Sequence, residues 1–177
     1  MVPPGLLNLR WYVVQTKPRQ EIRAEANLRS WGVETLSPRL RERRPAPRSG
    51  GSFRIAPLFP RYLFARFDAA ALLAKVRFTR GVHDVVGFGE HATEVDEDII
   101  AFVRGRVEPD GLVRAGDAQP AEPARVQADP MRSLVGIFER EMEPHERVMV
   151  LLNTVVSQAQ SRSGRAQVSA ASTQPES

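Results

Sequence analysis

Cysteine is absent from the 177 residues, which excludes a disulfide framework, a thiolate nucleophile and a cysteine-based zinc site. Lysine is nearly absent as well. Only Lys17 and Lys75 stand among the 25 basic residues, so the positive charge is almost entirely arginine, the side chain suited to bidentate contacts with phosphate and carboxylate. A net charge of +4 is too modest to establish nucleic-acid binding by itself. No apolar run approaches the roughly 20 residues that span a bilayer, and the first ten residues lack a basic segment leading into an apolar one. No membrane role is implied, and the expected compartment is the cytoplasm. His83, His91 and His145 are scattered, and neither a glycine-rich phosphate loop nor a serine elbow occurs, so no catalytic residue, metal site or cofactor is expected.

With 42% hydrophobic and 26% charged residues the chain has material for one medium domain or two small ones. Trp11-Tyr-Val-Val-Gln15 is β-branched and aromatic, which predicts a buried strand that Thr16-Lys17-Pro18 ends. A helix is expected from Arg19 to about Trp31, with Ala24, Leu28 and Trp31 on one stripe and Gly32 as its stop. Val33 to Arg39 reads as extended. Arg39 to Gly51 has the arginine, proline and glycine content of an exposed loop or hairpin tip, and its arginines either extend a nucleic-acid contact or simply face solvent.

A second strand is best seen in Arg61-Tyr-Leu-Phe-Ala-Arg-Phe67. Period two puts Tyr62, Phe64 and Arg66 on one face and Leu63, Ala65 and Phe67 on the other. The first face is either more core or a binding surface. Asp68 suits the N-cap of a helix through about Val76, Gly81 precedes a β-like run from Val82 to Phe88, and Asp96, Glu97 and Asp98 open a third helix with Ile100, Val103 and Val107 at helical spacing. That acidic triplet reads as helix capping. The order of elements implies an α+β fold, a mostly antiparallel sheet flanked by helices, ending near Val107.

Residues 108–125 carry Pro109, Pro120 and Pro123 with Gly111 and Gly116 and are expected to be a linker. Residues 126–160 would form a small second unit, and 161–177, rich in Ser, Ala and Gln, a disordered tail. The pattern in the second unit is double: Val148, Leu151, Leu152, Val155 and Ala159 fall at helical spacing although the run is rich in strand formers.

Three blocks resemble the N-terminal domain of the NusG family and its specialised RfaH-like paralogues: Trp11-Tyr-Val-Val-Gln-Thr-Lys-Pro18, Pro57-Leu-Phe-Pro-Arg-Tyr-Leu-Phe64, and Thr79-Arg-Gly-Val82 with Val86-Gly-Phe-Gly89. Leu134-Val-Gly-Ile-Phe138 and Val148-Met-Val-Leu-Leu152 are similar to strands of that family's C-terminal KOW domain. The glycines that usually shape its turns are replaced by Ala128, Asp129, Met131, Arg132 and Ser133, with Gly136 retained. The resemblance implies a small KOW or SH3-like β-barrel for 126–160, with a helical arrangement as the open alternative.

It further implies a monomeric, non-enzymatic elongation or antitermination factor that binds RNA polymerase at the β′ clamp helices and raises processivity. The polymerase-binding patch would be Phe59, Tyr62, Phe64 and Phe88. Lys17, Arg19, Arg23 and Arg80 would contact the non-template DNA strand. A contact with the β gate loop is left open, because Leu72-Leu-Ala-Lys75 stands where a paralogue carries threonines, as are contacts of the C-terminal unit with Rho or a ribosomal protein. Two other functions stay open: a general NusG acting in elongation and Rho-linked termination, and a stand-alone nucleic-acid-binding protein.

Overall fold

The computed structural model describes residues 8–44, 52–113, 130–139 and 142–171, with backbone alone for 43, 44, 130 and 166–171. Along the chain run β1 (Arg10–Thr16), α1 (Glu21–Ser30), β2 (Glu34–Leu36), β3 (Arg39–Arg44), β4 (Ser52–Pro57), β5 (Tyr62–Phe67), α2 (Ala69–Arg77) and β6 (Val82–Val85). The rest are β7 (Gly87–Phe88), β8 (His91–Ala92), β9 (Glu94–Val95), α3 (Glu97–Arg104), β10 (Leu112–Val113), α4 (Pro130–Glu139) and α5 (Pro144–Ala171).

The two strands expected from aromatic and β-branched content form the centre of the main sheet. β1 pairs antiparallel with β5, Tyr12 opposite Ala65 and Val13 opposite Phe64, while its other edge is shared by β9 and β6. β2 extends the sheet beyond β5. Both faces are buried, and strand alternation divides them into two cores. Trp11, Val13 and Phe64 fall in one, with Leu58, Phe59 and α3 residues Ile99, Ile100 and Val103. Tyr12, Val14, Leu63, Ala65 and Phe67 fall in the other, with Ala24 and Leu28 of α1 and Val76 of α2. The side chain of Asp68 accepts a hydrogen bond from the Ala70 amide at 3.0 Å, which caps α2 as expected.

Several local expectations are corrected. Trp31 does not continue the buried stripe of α1; it is the C-cap residue, half exposed, with the Lys75 ammonium 3.7 Å from its ring centre. The run from Val82 to Phe88 is two strands, since the chain turns at Val86 and β7 pairs with β8 instead of the main sheet. The helix expected to reach Val107 ends at Arg104, and Val107 forms a bridge with Val113. Order also continues past Val107: β10 pairs in parallel with the start of β3, a long-range pairing that no local pattern announces. The arginine-rich stretch supplies β3, and β4, which was not expected, pairs with it as the arms of a hairpin whose tip at 45–51 lies outside the described residues. Residues 114–125 of the expected linker also lie outside them.

The C-terminal unit takes the helical alternative that stood open beside the barrel. Among the described residues there is no closed barrel; 130–139 and 144–171 are two helices that pack on each other and on the sheet domain. Ser161 to Ala171, expected as part of a disordered tail, continues α5. The physical reason is partnership. Leu134, Ile137 and Phe138 on α4 and Leu151 and Val155 on α5 are all buried in the core that contains Trp11, Phe59 and Phe64. A helix of strand-forming residues is marginal alone and gains its stability from burying an amphipathic face.

Gly81 has φ +95°, and a Cβ there would lie 2.8 Å from the Ala24 amide nitrogen. Gly81→Ala is therefore expected to lower stability by about 1–3 kcal/mol, from left-handed strain plus the close approach to α1. Urea unfolding followed by circular dichroism checks this; an unchanged midpoint would refute it.

Candidate functional site

Each strand contributes to the site through its parity. Phe64 on β5 and Trp11 on β1 face the same side, and Phe59, in the turn between β4 and β5, stands edge-on to Phe64 with ring centres 6.1 Å apart. Tyr62 is partly buried against this cluster. Three of the four expected patch residues are thus brought together. Phe88 is not: it lies on β7, is 63% exposed and belongs to neither core.

The patch is covered. Phe59 and Phe64 are 1% and 0% exposed, in one buried cluster with residues of α3, α4 and α5. At the edge, Phe138 of α4 meets Phe102 of α3 at 5.5 Å, and the Arg106 guanidinium sits over both rings.

The inward stripe of α5, read at helical spacing, is Arg147, Leu151, Thr154, Val155 and Gln158. Its two ends are polar and each grips the sheet domain. Arg147 is 4% exposed, yet its guanidinium is fully engaged: Nε donates to the Leu58 carbonyl at 2.8 Å, Nη1 to the Met142 carbonyl at 2.7 Å, and Nη2 to Glu42 Oε1 at 3.0 Å. Glu42 also accepts from Arg54 across the β3–β4 hairpin at 2.8 Å. At the other end Gln158 accepts from the Asp96 amide at 2.8 Å and donates to the Glu94 carbonyl, and Arg162 reaches both acidic side chains.

Burial alone would raise the Glu42 carboxyl, but hydrogen bonds from Arg54 and Arg147, with their charges, outweigh burial and hold it below its ordinary value. A depressed carboxyl adds stability above the ordinary glutamate range and loses it as pH falls through its own lowered value. The α4–α5 packing is therefore expected to loosen as the pH is taken below the ordinary glutamate range. Hydrogen exchange of the α5 amides measures this, and a Glu42→Gln variant that loosens with the same pH profile would refute it.

The basic candidates Lys17, Arg19, Arg23 and Arg80 are all exposed. Backbone contacts gather their segments at one end of the sheet: the Lys17 amide donates to the Gly81 carbonyl at 2.8 Å, and Asn27 Nδ2 donates to the Arg80 carbonyl at 2.9 Å. Gly81 lies against Ala24, next to Arg23, so the Thr79-Arg80-Gly81 turn is seated on α1. Sequence reasoning missed Arg61, which has φ +69°, donates from its amide to Glu21 and from Nε to the Thr16 carbonyl, and adds a cation beside Lys17. It also missed Glu42, Arg147 and Gln158, whose contacts between α5 and the sheet domain span 62 to 105 residues and leave no local signal.

No group of three or more metal-ligating side chains occurs among the described residues, and no helix there is long and apolar enough to cross a membrane. The arrangement defines an α+β domain that carries an aromatic face under its own C-terminal helices and a cluster of cations at one end of its sheet. A family model described as "Transcription termination factor nusG" matches residues 9–104, more than half of the chain, and the protein belongs to the NusG family of transcription factors. A solved structure described as "Domain interaction in Thermotoga maritima NusG" is 18% identical over 67% of this chain and 68% of that one, with a TM-score of 0.39.

Proposed function

We propose that the protein is a specialised, RfaH-like elongation or antitermination factor whose polymerase-binding face is the one formed by Phe59, Tyr62 and Phe64 and is masked by α4 and α5. The supporting observation is that this face is filled by the chain's own helical hairpin, held by a buried arginine. The partner would be the β′ clamp helices, which would take the place of the hairpin in an apolar contact; aromatic side chains supply large burial at low entropic cost. Once the hairpin leaves, Lys17, Arg19, Arg23 and Arg80 would lie at the domain's exposed end to engage the unpaired non-template strand. Phe88 would act as a separate exposed contact, since it lies outside the masked cluster.

A general factor that contacts Rho or a ribosomal protein through a permanently folded barrel is less well supported, because the unit that would make those contacts is helical and packed on the sheet domain. The deciding experiment is capture of core RNA polymerase by the full chain and by residues 1–113. The shorter chain, with the face open, is expected to bind at least tenfold more tightly. Failure of both to bind would refute the polymerase reading, and equal binding would refute the masking.

A further inference from the structure

The β3–β4 hairpin has two unlike faces, fixed by its register. Leu40 opposite Ala56 and Glu42 opposite Arg54 point inward, where Leu40 joins the core and Glu42 meets Arg147. Arg41 opposite Ile55 and Phe53 opposite the backbone of Arg43 lie on the outward side. There Phe53 and Ile55 are 63% and 61% exposed, and the Arg41 guanidinium stands 5.9 Å from the centre of the Phe53 ring. β4 is the edge strand of its sheet, and α4 and α5 lie on the inward side.

Charge says what this face would take. Residues 39–57 hold six arginines and one acidic residue, Glu42, and that carboxylate is turned inward between two guanidinium groups. An exposed ring and an aliphatic neighbour beside the Arg41 guanidinium, in a stretch whose sequence holds six arginines to one acid, match the two needs of an unpaired strand, a flat apolar platform for a base and positive charge for its phosphates. Paired bases in a duplex would leave the ring nothing to stack on.

We infer that the outward face of the β3–β4 hairpin, centred on Phe53, Arg41 and Ile55, is a second binding surface for single-stranded nucleic acid, separate from the Lys17 and Arg80 end of the sheet. It faces away from the C-terminal helices, so it is open while the aromatic patch is covered, and the closed chain engages an unpaired strand before it engages a protein partner.

The test is fluorescence anisotropy of a labelled single-stranded oligothymidylate of about twelve nucleotides with the full chain. Phe53→Ala is expected to weaken binding at least fivefold, whereas Phe53→Tyr, which keeps the ring, stays within about twofold of the parent. Arg41→Ala should reduce the slope of log affinity against log salt by about 0.7, one phosphate contact. A Lys17→Ala, Arg80→Ala double variant should retain the dependence on Phe53. These residues are exposed, so the substitutions should leave the fold intact, checked by circular dichroism. The inference is overturned if the parent chain does not bind, if Phe53→Ala binds as the parent does, or if a blunt duplex competes as well as unlabelled single strand. It is equally overturned if sedimentation shows that Phe53 and Ile55 are covered by a second copy of the chain.

Discussion

Leu151→Asp is expected to detach α4 and α5 from the sheet domain and to raise affinity for core RNA polymerase at least thirtyfold. Leu151 is 1% exposed, in the core shared by the hairpin and the sheet. Arg147, one turn earlier on the same stripe, is already engaged by two carbonyls and Glu42, so a carboxylate placed there must be hydrated, which costs several kcal/mol if the hairpin stays docked. Undocking relieves that cost. Each 1.4 kcal/mol of docking free energy removed is worth tenfold in apparent affinity, because only the open fraction binds. The sheet domain should survive, since its second core, around Tyr12, Leu63 and Phe67, does not involve the hairpin. Two-dimensional amide NMR separates the outcomes. Unchanged shifts in α1 and α2 with large changes in 130–165 and tighter polymerase binding are expected; an opened hairpin with no gain in affinity would refute the masking.

Arg147→Ala should have the next largest effect. The substitution removes a charged side chain that satisfies two carbonyl oxygens and one carboxylate, and leaves the Leu58 carbonyl without that donor in a buried position. Breaking a buried pair by deleting one partner costs roughly 3–5 kcal/mol. Here a loss of about 2–4 kcal/mol from hairpin docking is expected, because Glu42 keeps Arg54. Glu42→Ala should cost less than Arg147→Ala, since it frees one of three hydrogen bonds. A double-mutant cycle between the two positions should give a coupling of about 1–3 kcal/mol, measured by hydrogen exchange in α5. A coupling near zero would mean that Arg147 acts through the carbonyls alone.

These expectations put the control of the chain at the hairpin's polar ends and its binding energy at the aromatic centre. Arg147 and Gln158 fix where α5 sits, because each satisfies backbone groups of the sheet domain at a defined spot. Apolar contacts between Leu151, Val155 and the Phe59–Phe64 cluster supply most of the attraction but little positional choice. A competing partner needs to match only the apolar surface.

Much of the sheet domain was legible locally. Trp11 to Gln15 was marked as a buried strand by its aromatic and β-branched content, the faces of Tyr62 to Phe67 follow from period two, and the two cores divide on that parity. Asp68 as a cap and Glu97 and Asp98 in the first turn of α3 were also local signals. The candidate site was half legible. Phe59, Tyr62 and Phe64 are neighbours in sequence and remain so in space, whereas Phe88 was grouped with them by resemblance and stands apart. Trp31 was misplaced because helical spacing ignores where the helix ends.

The sequence alone determined the two central strands of the main sheet, the two-faced character of β5 and membership of the NusG family, all of which rest on short-range pattern and motif. Only the tertiary structure decided the state of the C-terminal unit and the exposure of the aromatic face. Val148 to Ala159 carries helical spacing and strand-forming residues together, so local preference is nearly balanced. The balance is tipped by an apolar surface supplied some 90 residues earlier and by Arg147 reaching Glu42 across 105 residues of chain. Burial of a whole helix face against that surface outweighs the small per-residue preference for strand, and the same contact covers the face that the sequence had left open as core or binding surface.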